Sequence, residues 1–217
     1  MLPWALLVLA VLFVIVAYVV VQGTRAALAW RKAAEAGDVK VIGDLVEDAL
    51  NTWRSMRRPR EVPVEVWRGI QSTQLVSVAP GFVRVSCRAE GEHRRVGRRW
   101  VEVRNPLQEA LAITARAAEM LLYEVPHFRP ERVQVDVYSN YRDAKGNSRH
   151  DCILTTAADR EAARRVDWEE WPADEIVTAL GGRYRLGDGG QPLPVRPEEP
   201  PEAAAPGANG SRMAARR

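Results

Sequence analysis

The sequence predicts an N-terminal membrane-spanning helix followed by one α+β domain, and three observations lead there. Leu2 to Val21 is a run of twenty residues without a charge. At about 1.5 Å per residue, a helix of that length spans the roughly 30 Å hydrocarbon core of a bilayer. Beyond it, stretches with apolar residues every three or four positions mix with stretches where they fall on every second position, the periods of helix and strand. From Gly187 onward the chain holds six of its 14 prolines and almost no large apolar residue, so it cannot bury enough surface to offset chain entropy. The expected organisation is an anchor (1–24), a juxtamembrane helix or linker (25–37), a soluble domain (38–186) and a disordered tail (187–217). The domain is expected to hold a mostly antiparallel sheet of about five strands, with helices packed on at least one face.

The anchor carries a direction. No Lys or Arg precedes the apolar run, whereas Arg25, Arg31 and Lys32 follow it. The positive-inside tendency therefore puts the N-terminus outside and the domain in the cytoplasm of a single-pass protein of the cell membrane. A cleaved signal peptide would have a basic start and a shorter apolar core. Ala27-Leu28-Ala29 does mimic a cleavage site, and a domain on the outer side is the alternative. Trp4 and Trp30 flank the run as interfacial aromatics do. The run has no GxxxG pair and no Asp, Glu, Lys, Arg or His, so nothing in it points to an ion path or a tight helix dimer.

The domain elements follow in order. The anchor helix is expected to continue through "TRAALAWRKAAEA" until Gly37-Asp38 breaks it, with Asp38 capping the next helix. In that helix Ile42, Leu45, Val46, Ala49, Leu50 and Trp53 make one apolar face, opposite Lys40, Asp44, Glu47, Asp48 and Arg54. "RRPREVP" interrupts, and a short helix is expected at "VEVWRGI". Three strands are then predicted: "QLVSVA", ending at the Pro80-Gly81 turn; "FVRVSCRAE", with Val83, Val85 and Cys87 on one face; and "RRWVEVR". Asn105-Pro106 starts a helix that should run to about Tyr123. "ERVQVDVYSNYRDAKGNSRHDCILTT" reads as a hairpin turning at Asp143-Ala144-Lys145-Gly146. Thr156 and Asp159 should cap "AADREAARRV", and Pro172 should open a last helix stopped by Gly181-Gly182.

Charge and cysteine count exclude some functions. The net charge is +3 in 217 residues, and the basic residues are almost all arginine, so the whole chain is no polycation of the kind that coats nucleic acid. The two cysteines, Cys87 and Cys152, match no zinc signature and are too few for a disulfide scaffold. Whether they pair is left open, since a bond needs their α-carbons within about 7 Å.

Three stretches could carry chemistry. In "RHDCIL" the alternation of a strand puts His150 and Cys152 on one face and Asp151 on the other, so the three make no local triad. The hairpin register would set Asn140 opposite His150 and Tyr138 opposite Cys152, and neither partner activates a thiol. The order helix, three strands, helix, strand over roughly residues 39 to 140, with Glu102-Val103-Arg104 on the third strand and Gln108 on the helix, resembles the PD-(D/E)xK restriction-endonuclease-like nucleases. That resemblance implies a magnesium site built on Glu102. This chain departs from it with Arg84, Ser86 and Arg88 where a second carboxylate belongs, and with Arg104, which cannot act as a base. It therefore implies at most an inactive relative. The third stretch is the basic hairpin tip "HRRVGRR", residues 93–99.

The expected function is a non-enzymatic, membrane-tethered binding or scaffold domain. An enzyme with no recognisable motif is the alternative. Residues 2–21 hold the bilayer, and the other partner is a protein or an anionic lipid surface. Nucleic acid is disfavoured because Trp100 is the only aromatic residue near the basic tip. Arg94, Arg95, Arg98 and Arg99 at the tip, with Trp168 and Trp171, are the contact candidates. No catalytic residue, cofactor or metal ligand is predicted.

Overall fold

The computed structural model describes residues 2–96, 99–142, 148–188 and 190–197. Its first helix, α1 (Leu2–Glu35), is unbroken over 34 residues. It contains an apolar window of mean hydropathy 2.0, none of it buried against the domain. By length and composition this one helix suits a membrane span or a signal sequence.

The joint between α1 and the domain is built as the sequence foretells. Gly37 takes a positive φ of 81°. Its N–H bonds the Ala34 carbonyl, and the Asp38 N–H bonds the Ala33 carbonyl, which closes the helix with a Schellman pair. Asp38 then starts α2 (Val39–Ser55), its carboxylate accepting from the backbone N–H of Lys40 and Val41. One residue thus belongs to both termini, which fixes the turn between the helices. α2 buries Ile42, Val46, Ala49, Leu50 and Trp53, while Leu45 is only half-buried. The short helix α3 (Val64–Gln71) follows and buries Val66, Trp67 and Ile70.

The main sheet has six strands in the order β1-β2-β5-β6-β7-β8. β1 (Gln74–Ala79) and β2 (Phe82–Ala89) form a hairpin about Pro80-Gly81. β3 (Glu92–Val96) and β4 (Arg99–Arg104) pair only with each other, as a separate ribbon. α4 (Pro106–Tyr123) comes next, with Asn105 accepting from the Leu107 N–H and Pro106 in the first turn. β5 (Arg132–Arg142) and β6 (Ser148–Asp159) form the long hairpin. Its expected turn, Asp143 to Gly146, lies outside the described residues. A four-residue helix α5 (Arg160–Ala163), then α6 (Ala173–Ala179), β7 (Arg183–Leu186) and β8 (Pro192–Leu193) complete the chain.

α4 is the axis of the core. It buries residues all round, among them Leu107, Ile113, Ala118, Met120, Leu121 and Leu122. The valine faces of β2 and β5 lie on one side of it and α3 and α6 on others. α3 approaches closely because Gly69 has no side chain: a Cβ there would stand 2.2 Å from Ile113 Cδ1.

Several expectations change. The sheet is mixed: four of its five strand pairings are antiparallel, but β2 and β5 run parallel from Phe82↔Arg132 to Ala89↔Ser139. The reason is a crossover: the chain leaves β2, returns along α4 and re-enters the sheet from the end where β2 began. The third predicted strand, β4, is absent from this sheet, because the residues before it supply their own partner, β3. At α5 the Asp159 side chain makes no cap bond, and the strand β6 runs on through Thr156 to Asp159. Disorder from Gly187 onward also fails for the first part of the tail. β8 pairs with β7 through Arg185↔Leu193, and the Val195 N–H bonds the Cys152 carbonyl at 2.9 Å. Pro192 is buried there. Residues 198–217 lie outside the described residues.

Candidate functional site

Where α1 meets the domain, its last turn walls an open cleft of about 980 Å³. Arg31, Ala34 and Glu35 supply that wall. Pro80-Gly81 of the β1–β2 turn, Tyr123 at the end of α4, the segment 125–131 and α5 supply the others. The backbone holds these parts together. The Gly81 carbonyl accepts from the N–H groups of Glu131 (2.7 Å) and Arg132 (3.0 Å), tying the start of β5 to the β1–β2 turn. His127, at the bend between α4 and β5, takes a positive φ of 61°, a conformation few residues other than glycine adopt.

Arg160 is the keystone. Its Nε donates to the Pro130 carbonyl at 2.8 Å, and one terminal nitrogen donates to the Leu122 carbonyl. Leu122 lies in the last turn of α4, where carbonyls have no partner within the helix and a cation complements the dipole. The guanidinium also sits 5.3 Å from the Tyr123 ring centroid, within cation–π range. Burial holds the Arg160 pKa below the ordinary arginine value, and repulsion from Arg129 and Arg164 adds to this. Arg129 and Arg164 line the same cleft. Two carboxylates also line it: Glu35 is 2.9 Å from the Arg31 Nε, while Glu131 stands over Gly81. Four arginines against two acids leave an excess of positive charge. Such a site favours a multi-oxygen anion, carboxylate or phosphate, whose oxygens the planar guanidinium groups grip in a bidentate fashion.

The contact residues expected from the sequence separate into two places. Trp168 is half-buried beside this cleft, edge-on to Tyr123 at 6.1 Å, with its indole N–H on the Ala163 carbonyl at 3.3 Å. It closes the end of the core. Trp171 keeps 39% of its surface exposed. Arg94 and Arg95 stand on strand β3, opposite Val101 and Trp100, rather than in a turn; Arg99 opens β4. Arg98 lies outside the described residues. The ribbon precedes the N-terminal end of α4 and the cleft adjoins its C-terminal end, so a helix length of about 27 Å separates them. The structure therefore does not bring the arginine ribbon to the tryptophans.

The "RHDCIL" stretch forms no reactive centre. The register is the expected one, Asn140↔His150 and Tyr138↔Cys152. His150 Nδ1 lies 2.8 Å from Asn140 Oδ1, and its ring stacks on Tyr138 at 5.7 Å. Cys152 is buried, its thiol bonded to the Leu154 carbonyl, and burial pushes its pKa up to about 12. Cys87 is likewise pushed up to about 12 by burial, against a bond from Thr73 that lowers it. Both thiols are free. They stand on β2 and β6, with β5 between them. Two strand spacings, about 9.6 Å, exceed the reach of a disulfide.

Glu102 belongs to the ribbon, outside the main sheet, so it does not neighbour β2 as a nuclease metal ligand would. Among the described residues no three His, Cys, Asp or Glu side chains are grouped to hold a metal. The buried carboxylate of the sheet is elsewhere. Asp136, 1% exposed, takes Arg84 Nε at 2.7 Å, Thr155 Oγ1 at 2.6 Å and Gln134 Nε2 at 3.1 Å. With both oxygens engaged it acts as a tie across three strands; removing one partner of such a pair costs about 3–5 kcal/mol.

Sequence reasoning missed the cleft. Its arginines are far apart in the chain and look like all the others; the one local signal was the bias to Arg over Lys. No protein-family model, curated protein or solved structure matches this chain.

Proposed function

We propose that this protein is a single-pass, membrane-tethered binding domain with no catalytic activity of its own, its N-terminus outside and its domain in the cytoplasm. One observation carries the reading: the apolar window of α1 has no surface buried by the domain. A bilayer would remove that surface from water, at about 25 cal/mol per Å². The hydrogen-bonded joint at Gly37-Asp38 supports it, because it defines the turn between the apolar helix and the domain. The charge step at Arg25, Arg31 and Lys32 supports the cytoplasmic side. The buried, alkaline-shifted thiols support a binding role over thiol catalysis.

The test has two parts. Membranes carrying the full chain are washed with alkaline carbonate, and the protein should stay in the pellet; release into the wash overturns the tether. A C-terminal tag is then challenged with protease outside intact cells, with any outer membrane opened. The tag should survive until the membrane is breached, and its immediate loss would put the domain on the outer side.

A further inference from the structure

We infer that the cleft at the α1–domain joint holds the phosphate of an anionic lipid headgroup from the bilayer that carries the anchor. This deepens the tether reading and rests on it.

The argument begins with distance. The first charge after the apolar run is Arg25, so Thr24 is the last residue the hydrocarbon core can take without a charge. Arg31, on the cleft wall, is seven residues further along the same unbroken helix, about 10 Å. The headgroup layer itself is about 5–7 Å thick on each side. With Thr24 at the core boundary, the Arg31 wall of the cleft thus stands within about an arginine side chain's length of the headgroups, and helix tilt shortens the gap further. A soluble anion gains nothing from that placement.

Charge is the second support. Arg129 is exposed and makes no hydrogen bond or ion pair among the described residues. Arg164 has only a loose surface partner, Glu161 at 3.5 Å. Arg160 spends its donors on neutral carbonyls, so its charge is uncompensated. A phosphate would relieve the repulsion that Arg160 feels from Arg129 and Arg164, its oxygens accepting from the uncommitted donors of Arg129 and Arg164 while the Arg160 charge attracts it. The two acids of the cleft do not cancel this: Glu35 is engaged by Arg31, and Glu131 alone stands against the three remaining arginines of the lining. Tyr123, 46% exposed at the rim, adds an aromatic ring of the kind enriched at headgroup level.

The experiment uses the full chain purified in neutral detergent. It is titrated with phosphatidylglycerol, phosphatidylcholine, inorganic phosphate or a glutamate-rich peptide, and bound adducts are counted by native mass spectrometry. Phosphatidylglycerol should bind at least tenfold more tightly than the other three. The double variant Arg129→Gln/Arg164→Gln, which spares the Arg160 latch, should lose about tenfold or more of that affinity with an unchanged melting temperature, as basic side chains near a lipid surface contribute about 1 kcal/mol each. Arg68→Gln/Arg88→Gln removes the same charge from the far end of α4 and should change nothing. Equal binding of the two lipids, equal loss in the two variants, or tighter binding of phosphate or peptide than of phosphatidylglycerol each overturns the inference. A chain that survives carbonate washing yet shows no lipid preference keeps its tether and loses only the cleft assignment; one that washes out loses both.

Discussion

At the scale of single residues, burial decides chemistry more than residue type does. Cys152 beside His150 looks reactive on paper, yet its strand carries the sulfur inward. The proton stays on until about pH 12, whereas an ordinary thiol loses it near 9.0. Cys87 behaves the same way. This has a consequence for stability. Below pH 9 both folded and unfolded chains keep the thiol protons. Between about 9 and 12 the unfolded chain has lost them and the folded chain has not, so stability falls as pH rises, by at most about 1.4 kcal/mol per pH unit per thiol. The melting temperature should be insensitive to these groups below pH 9 and should drop through pH 9–12. A Cys87→Ala/Cys152→Ala variant should show a shallower drop; an identical slope would mean that the thiols are not shielded. The inward side of Cys87, on the valine face of its strand, was legible from alternation, but the Asp136 tie was not, because alternation gives a face and not the partners that meet on it.

At the scale of elements, most of the helices and strands were legible. Asn105-Pro106, Asp38 and the Pro80-Gly81 turn are local devices whose chemistry acts within four residues, so the sequence alone reveals them. Gly69 is different, since its role depends on Ile113, 44 positions away in the chain. Gly69→Val should force α3 off α4 and cost about 1–3 kcal/mol or more, as overpacking does. Denaturant unfolding measures this directly, and a change under 0.5 kcal/mol, roughly the scatter of surface substitutions, would show that the contact is loose. The ribbon β3–β4 was misread because its strands pair with each other, and an alternating pattern is the same whether the partner is the main sheet or a neighbour.

At the scale of the whole molecule, α1 meets the domain only near its C-terminal end, where Ala34 is buried in the core. The apolar window of α1 buries nothing in the domain. Deleting residues 1–24 should therefore leave a soluble domain with its cooperative unfolding intact, checked by circular dichroism and sedimentation. Aggregation of that fragment, or loss of its cooperative transition, would mean that the apolar helix belongs to the core. The parallel pairing of β2 with β5 also lives at this scale, for it depends on the path of α4 between them.

The sequence by itself determined where the apolar helix lies, that Asp38, Asn105 and Pro80-Gly81 cap and turn, and which face of α2 and of β2 is buried. Those properties follow from periodicity and from contacts between near neighbours in the chain. Only the tertiary structure decided that β2 and β5 run parallel, that the cysteines stand too far apart to bond, and that Arg129, Arg160 and Arg164 line one cleft beside the end of α1. Each of these joins residues distant in sequence, and the physical reason is common to them: a guanidinium, a thiol or a strand acquires its role from the partner that folding brings to it.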